Sequence, residues 1–235
     1  MLTKQEIIHK LTLCFDSKKA EGAKKYYPTK MTVLGVKVPD LKNILKEYKL
    51  ELKQISEKEK IKLIKELVNT NIFECQQFGF EILNNDQQLL NFITKNDVLA
   101  MKKNMDNWLS VDYFAGVLLG PLWRENKISY ETIKKLAKSK DFWERRIAVV
   151  ATVALNQKAR GGRGDAEQTI KICSLVINDK NDMVIKALSW ALRELAKRDK
   201  QSVIDFIDKN NTFLSQKIKR EVGNKLNFGK KIVKS

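Results

Sequence analysis

Apolar residues recur every three to four positions along almost the whole chain. Nowhere do they alternate with period two for long, so helices are expected throughout. Ile7, Ile8, Leu11 and Phe15 mark the inward face of a helix over residues 3–15. A second helix runs from Lys18 to Tyr27 and stops at Pro28. Residues 29–39 read as a loop in which Gly35 can take a turn conformation. Pro39 opens a helix to Tyr48, a position where proline costs no hydrogen bond. Ser56 and Glu59 form a capping box for a helix ending at Asn69. Further helices are expected at 72–84, 86–93, 96–102, 106–119, 129–138, 141–156, 165–177, 182–198, 200–209 and 212–226.

Two of these helices share more than periodicity. Asp141, Arg145 and Ala148 repeat as Asp182, Lys186 and Ser189, with the same internal spacing. Repeats of about 40 residues with this pattern resemble HEAT units, whose paired helices stack into a solenoid. The expected fold is all-α, a HEAT-like α-α superhelix with a concave basic face, in a single domain over 1–235. Within it, Asp and base can form a ladder between neighbouring repeats. Arg145 and Lys186 then have structural roles, while Arg146 and Trp190 are left over by the repeat. Trp190 in a buried slot would simply be core. Between the two units, Lys158–Gly164 carries three glycines with Arg160 and Arg163. It reads as a flexible cationic loop whose backbone can approach phosphates. The alternative is a plain connector.

Composition then narrows the function. Lys+Arg 45 against Asp+Glu 28 gives a formal charge of +17, which suits a polyanionic partner. An A/T-rich coding sequence would also inflate lysine without any function. The only histidine is His9, which argues against a histidine triad or a multi-histidine metal site. Cys14, Cys75 and Cys173 are widely spaced and read as core residues in a reducing compartment. No apolar run reaches the ~18 residues of a membrane span. The first residues lack the apolar core of a signal peptide, so the expected location is cytoplasmic.

One stretch carries candidate chemistry, Asp106–Leu122. On a helix Trp108 and Asp112 are one turn apart and share a face. Val111, Phe114, Ala115, Leu118 and Leu119 fall mostly on another. A large aromatic and a carboxylate thus project together from a strongly basic chain. Such a carboxylate either ends in an ion pair or faces something that the basic surface has captured.

Several segments together resemble the bacterial DNA alkylation repair family of HEAT-like, AlkD-like glycosylases. They are Tyr26 ahead of VLGV (33–36) and Pro39, NWLSVD (107–112), FWERRIA (142–148) and KALSWALRELAK (186–197). The likeness spans about residues 5–227. It implies Asp112 as the catalytic carboxylate, Trp108, Trp190 and Tyr26 as aromatic lesion-cleft residues, and Arg146 as the arginine of the site. The chain departs from the family at Asn107, where the helix can open on a second tryptophan, and at Leu109, where some relatives have an acid. Its glycine–arginine loop is also longer than in compact members. The resemblance implies hydrolysis of the N-glycosidic bond of cationic N3- or N7-alkylated purines in duplex DNA, by a monomer needing no metal or cofactor. Trp108, Asp112, Arg146 and Trp190 share an independence from the core and ladder patterns, and are expected close together on the concave face. An open face without a deep pocket leans away from base flipping. Two other readings stay open: a non-catalytic DNA-structure binder on this scaffold, and a HEAT-type protein-interaction scaffold.

Overall fold

The computed structural model describes residues 2–103 and 105–232. It divides into two compact units, one ending at Phe114 and the other beginning at Ala115. The described residues are helical, with one isolated parallel bridge between Thr32 and Ile72.

The first unit contains α1 (Lys4–Leu13), α2 (Ser17–Tyr26), α3 (Val38–Glu47), α4 (Lys49–Gln54), α5 (Glu57–Val68), α6 (Phe73–Asn85), α7 (Lys95–Met101) and α8 (Trp108–Tyr113). Helix α6 lies at its centre, packed against α1, α3, α5 and α8. It is buried on several sides at once through Phe73, Cys75, Phe78, Phe80, Ile82 and Leu83. Side-chain caps set most helix starts. Thr3 with Glu6, Ser56 with Glu59 and Thr94 with Asp97 are complete capping boxes. The loop before α3 is pinned from below by Glu74, a buried carboxylate on α6. It accepts the amides of Leu34 at 2.9 Å and Gly35 at 2.8 Å. Burial raises the Glu74 pKa, and these amide hydrogen bonds work against the shift. Gly35 has φ 76°, and a Cβ there would stand 2.3 Å from the Asp16 carbonyl oxygen. Only glycine fits that turn.

Three expectations change in this unit. Helix α1 ends at Leu13, which leaves Phe15 exposed rather than inward. Residues 87–91 form a 3₁₀ turn in place of an α-helix. Residues 49–54 are helical but bury no side chain, so α4 carries no apolar stripe for a sequence reading to find.

The second unit contains α9 (Gly120–Arg124), α10 (Tyr130–Ala137), α11 (Phe142–Asn156), α12 (Ala166–Leu175), α13 (Asp182–Leu195), α14 (Lys200–Lys209) and α15 (Gln216–Phe228). Helix α11 is its axis. It is buried continuously from Arg146 to Asn156 and packs on α9, α10, α12 and α13. The approach of α9 is close: a Cβ on Gly120 would lie 2.6 Å from Ala154 Cβ and 2.7 Å from the Ala151 carbonyl oxygen.

The helix that starts at Trp108 does not stop before Pro121. A π-helical stretch, Phe114–Leu119, follows α8, and α9 then takes Pro121 into its first turn. A wide π turn interrupts the regular ladder, and first-turn proline forfeits no intrahelical hydrogen bond, so the helix runs beyond its expected end at 119.

The inter-repeat ladder also differs in its partners. Arg145 forms a two-pronged ion pair with Asp179, at 2.5 and 3.2 Å, and donates to the Ser139 and Lys140 carbonyls. Asp141 instead caps its own helix by accepting from the Trp143 amide. Lys186 pairs within its own helix with Asp182 at 2.6 Å, and Lys217 from α15 reaches the same carboxylate at 2.8 Å.

Candidate active site

The first unit supplies an aromatic and carboxylate group built on α8. Asn107 is its N-cap: the buried side chain accepts from the Ser110 amide and donates to the Ser110 hydroxyl, both at 3.0 Å. This cap makes Trp108 the first helical residue and sets Asp112, which is half-buried, one turn further on. The Trp108 indole N–H donates to the Tyr26 carbonyl at 3.4 Å, and the Tyr26 ring meets the indole edge-on at 5.4 Å. Tyr26 is 72% exposed, so this pair opens to solvent. Behind it Tyr27 stacks on Phe73 at 4.6 Å, and burial pushes its phenol up to about 12.

A residue not foreseen holds these parts together. Asp106 accepts from the Thr29 hydroxyl at 2.5 Å and from the Lys30 amide at 2.6 Å. It thereby ties the segment just after Tyr26 to the start of α8. The Asn107–Ser110 spacing carried a sequence signal for the cap. Asp106 carried none, because its partner lies 77 residues away.

The second unit supplies the remaining candidates. Arg146 on α11 is buried, 5% exposed, and one guanidinium N–H donates to the Met183 carbonyl at 2.5 Å. Trp190 is half-buried on α13, outside the fully buried core. Helices α11 and α13 pack together, so both residues belong to one helix pair. Beside Trp190, Ser189 is fully buried and donates to Glu221 at 2.6 Å.

Arg160 and Arg163 are placed elsewhere in the second unit, on the loop that follows α11. The Arg160 guanidinium lies so close over Gly116 that a Cβ there would overlap its Nη1. Arg163 is exposed and pairs with Glu125 at 2.7 Å. Glu125 also accepts from Arg124 at 2.9 Å, and the two arginines, Arg124 foremost, lower its pKa. The loop that carries Arg160 and Arg163 is strapped, not loose. Arg124 donates to the Arg160 carbonyl at 2.7 Å, and Arg198 to the Asn156 and Gly162 carbonyls at 2.8 and 2.7 Å. Gly161 closes the short 3₁₀ turn in the left-handed region, with φ 76°.

Among the described residues, no group of three or more His, Cys, Asp or Glu gathers as metal ligands would. None of the described helices is long and apolar enough to cross a membrane.

Comparison with known families matches residues 7–226 to the DNA alkylation repair enzymes. The chain belongs to this family. The match covers both units and includes Tyr26, Trp108, Asp112, Arg146 and Trp190. No curated protein matches the chain significantly in sequence. A solved structure, described as a predicted DNA alkylation repair enzyme from Enterococcus faecalis, superposes with a TM-score of 0.72 at 18% identity. It covers 91% of this chain and 97% of that one. The fold is therefore that of the bacterial protein, and this family member is a DNA repair enzyme by descent.

Proposed function

We propose that the chain is a monofunctional DNA N-glycosylase that releases cationic N3- and N7-alkylated purines from duplex DNA without a metal. The observation that carries this reading is the capped α8 helix. It sets a half-buried carboxylate, Asp112, one turn from an indole whose neighbour Tyr26 opens to solvent. Tryptophan faces attract cations by ~0.5–2 kcal/mol, which favours an alkylated, positively charged purine over a normal one.

The chemistry follows from the leaving group. The bond between the sugar C1′ and the purine nitrogen breaks, and its electron pair leaves with the base. The base was cationic and departs neutral, so it needs little help from a general acid, consistent with a chain whose only histidine is the exposed His9. The sugar becomes oxocarbenium-like. The Asp112 carboxylate stabilises that positive charge and orients the water that adds to C1′, accepting its proton. Arg146, held by the Met183 carbonyl, contributes positive charge toward a backbone phosphate, and Trp190 and Tyr26 contribute aromatic surface. Arg160 and Arg163 bind duplex phosphates. The protein acts as a monomer, and its three free cysteines suit a reducing cytoplasm.

The test is incubation with methylated duplex DNA and chromatography of the released bases. Release of 3-methyladenine or 7-methylguanine supports the reading. Tight duplex binding without any released base would replace it with that of a DNA-structure binder. Failure to bind duplex at all would point to a protein-interaction scaffold.

A further inference from the structure

The first unit has a second charged feature, away from the Trp108 and Tyr26 aromatics. A cleft of about 690 Å³ opens between α3, α4 and the C-terminal end of α6. Lys42 and Lys46 of α3, Lys49 and Lys53 of α4, and Lys60 of α5 all line it. From this cleft we infer a second duplex-binding site, which takes the phosphodiester backbone and does not touch the bases.

The lining carries five lysines against two carboxylates, Glu81 and Asp86, so its net charge stays positive. Asp86 pairs with Lys60 at 3.2 Å, and Glu81, on the far wall, accepts from the Tyr113 hydroxyl at 2.9 Å. Glu47, next to Lys46, turns away to Lys10 at 3.0 Å. Lys42, Lys46, Lys49 and Lys53 form no ion pair among the described residues, and all four are exposed. Each helix carries its two lysines at i and i+4, about 6 Å apart along the axis. Like charges at that spacing weaken a helix. Helix α4 buries no side chain that would offset the cost. A bound polyanion removes the repulsion.

The lining also says which polyanion. It contains no aromatic side chain, so nothing is offered for bases to stack on, which single strands require. Lysine is a point charge on a flexible stem and suits a series of phosphates better than one bidentate carboxylate. The cleft therefore fits the duplex backbone, read by charge alone.

The experiment uses the full chain and undamaged duplex, so its outcome is independent of whether Asp112 excises anything. One variant carries Lys42→Gln, Lys46→Gln, Lys49→Gln and Lys53→Gln. A control removes the same charge elsewhere, with Lys58→Gln, Lys95→Gln, Lys138→Gln and Lys209→Gln. Fluorescence anisotropy across a salt series gives log K against log salt for each. The cleft variant is expected to have a slope shallower by about 0.9 for every phosphate it no longer neutralises. The control is expected to keep nearly the wild-type slope. The double variant Lys46→Gln/Lys49→Gln, expected to show about half the change, carries the test if the quadruple variant melts early. Equal slopes for cleft variant and control would overturn the site, since net charge alone would then be acting. So would an unchanged duplex slope combined with abolished binding to phosphatidylserine vesicles, which would assign the cleft to a membrane surface.

Discussion

At the scale of single residues, the site depends on side chains whose partners are distant in sequence. Asp106 illustrates this, because it clamps Thr29 and Lys30 to the start of α8. Asp106→Ala leaves the Lys30 amide and the Thr29 hydroxyl without their acceptor, at a cost of about 1–3 kcal/mol. Thermal melts should show that loss, and base release should slow because Tyr26 is no longer held beside Trp108. A variant that melts and excises like wild type would deny Asp106 this role. Such a clamp was not legible beforehand, since no local pattern points from 106 to 29. Trp108 and Asp112 stood out as candidates because their types clash with their surroundings, an aromatic and an acid on a basic chain, off the apolar stripe, whereas Tyr26 came only from the family resemblance. Arg146 was singled out because the repeat gave it no task, yet the structure buries it and fixes it on Met183. Its burial could not be read from a spacing that explains only Arg145.

At the scale of elements, caps and stripes were readable and close approaches were not. Ser56 with Glu59 opens α5 as its spacing requires. The helix expected to end at 119 runs on, because the π turn over 114–119 carries it past Pro121. Helix α4 escaped notice because it buries nothing. The two glycines of this segment should behave differently. Gly120→Ala drives a methyl into the Ala154 methyl and the Ala151 carbonyl, neither of which can swing aside. It should lower stability by about 1–3 kcal/mol in a denaturant titration. Gly116→Ala meets only the tip of Arg160, which can swing aside, so its cost should be clearly smaller. Equal destabilisation by the two variants would mean that the packing of α9 on α11 is looser than these distances indicate. The loop at 158–164 behaves in the same way. Its glycines and arginines suggested freedom, but Arg124 and Arg198 bind its carbonyls.

At the scale of the whole molecule, a formal charge of +17 must act on any polyanion it meets. Duplex affinity should fall steeply with salt, and Arg160→Ala with Arg163→Ala should weaken binding to all sequences alike. A salt-independent affinity would remove the electrostatic basis of DNA binding. The helical fold was legible from periodicity alone, and the family from four short motifs. The division between Phe114 and Ala115 was not, because it falls inside a helical run rather than in a linker. Family membership makes the chain a DNA repair enzyme, and the claims that remain are that it excises alkylated bases and that Asp112 carries the chemistry. Asp112→Asn keeps the size of the side chain and one oxygen while deleting the charge. The most direct measurement is the single-turnover release of 7-methylguanine by this variant, with its duplex affinity measured alongside. The account predicts a rate about 10²–10³-fold below wild type, with DNA binding intact or tighter. Release at the wild-type rate would contradict it, whatever happens to binding.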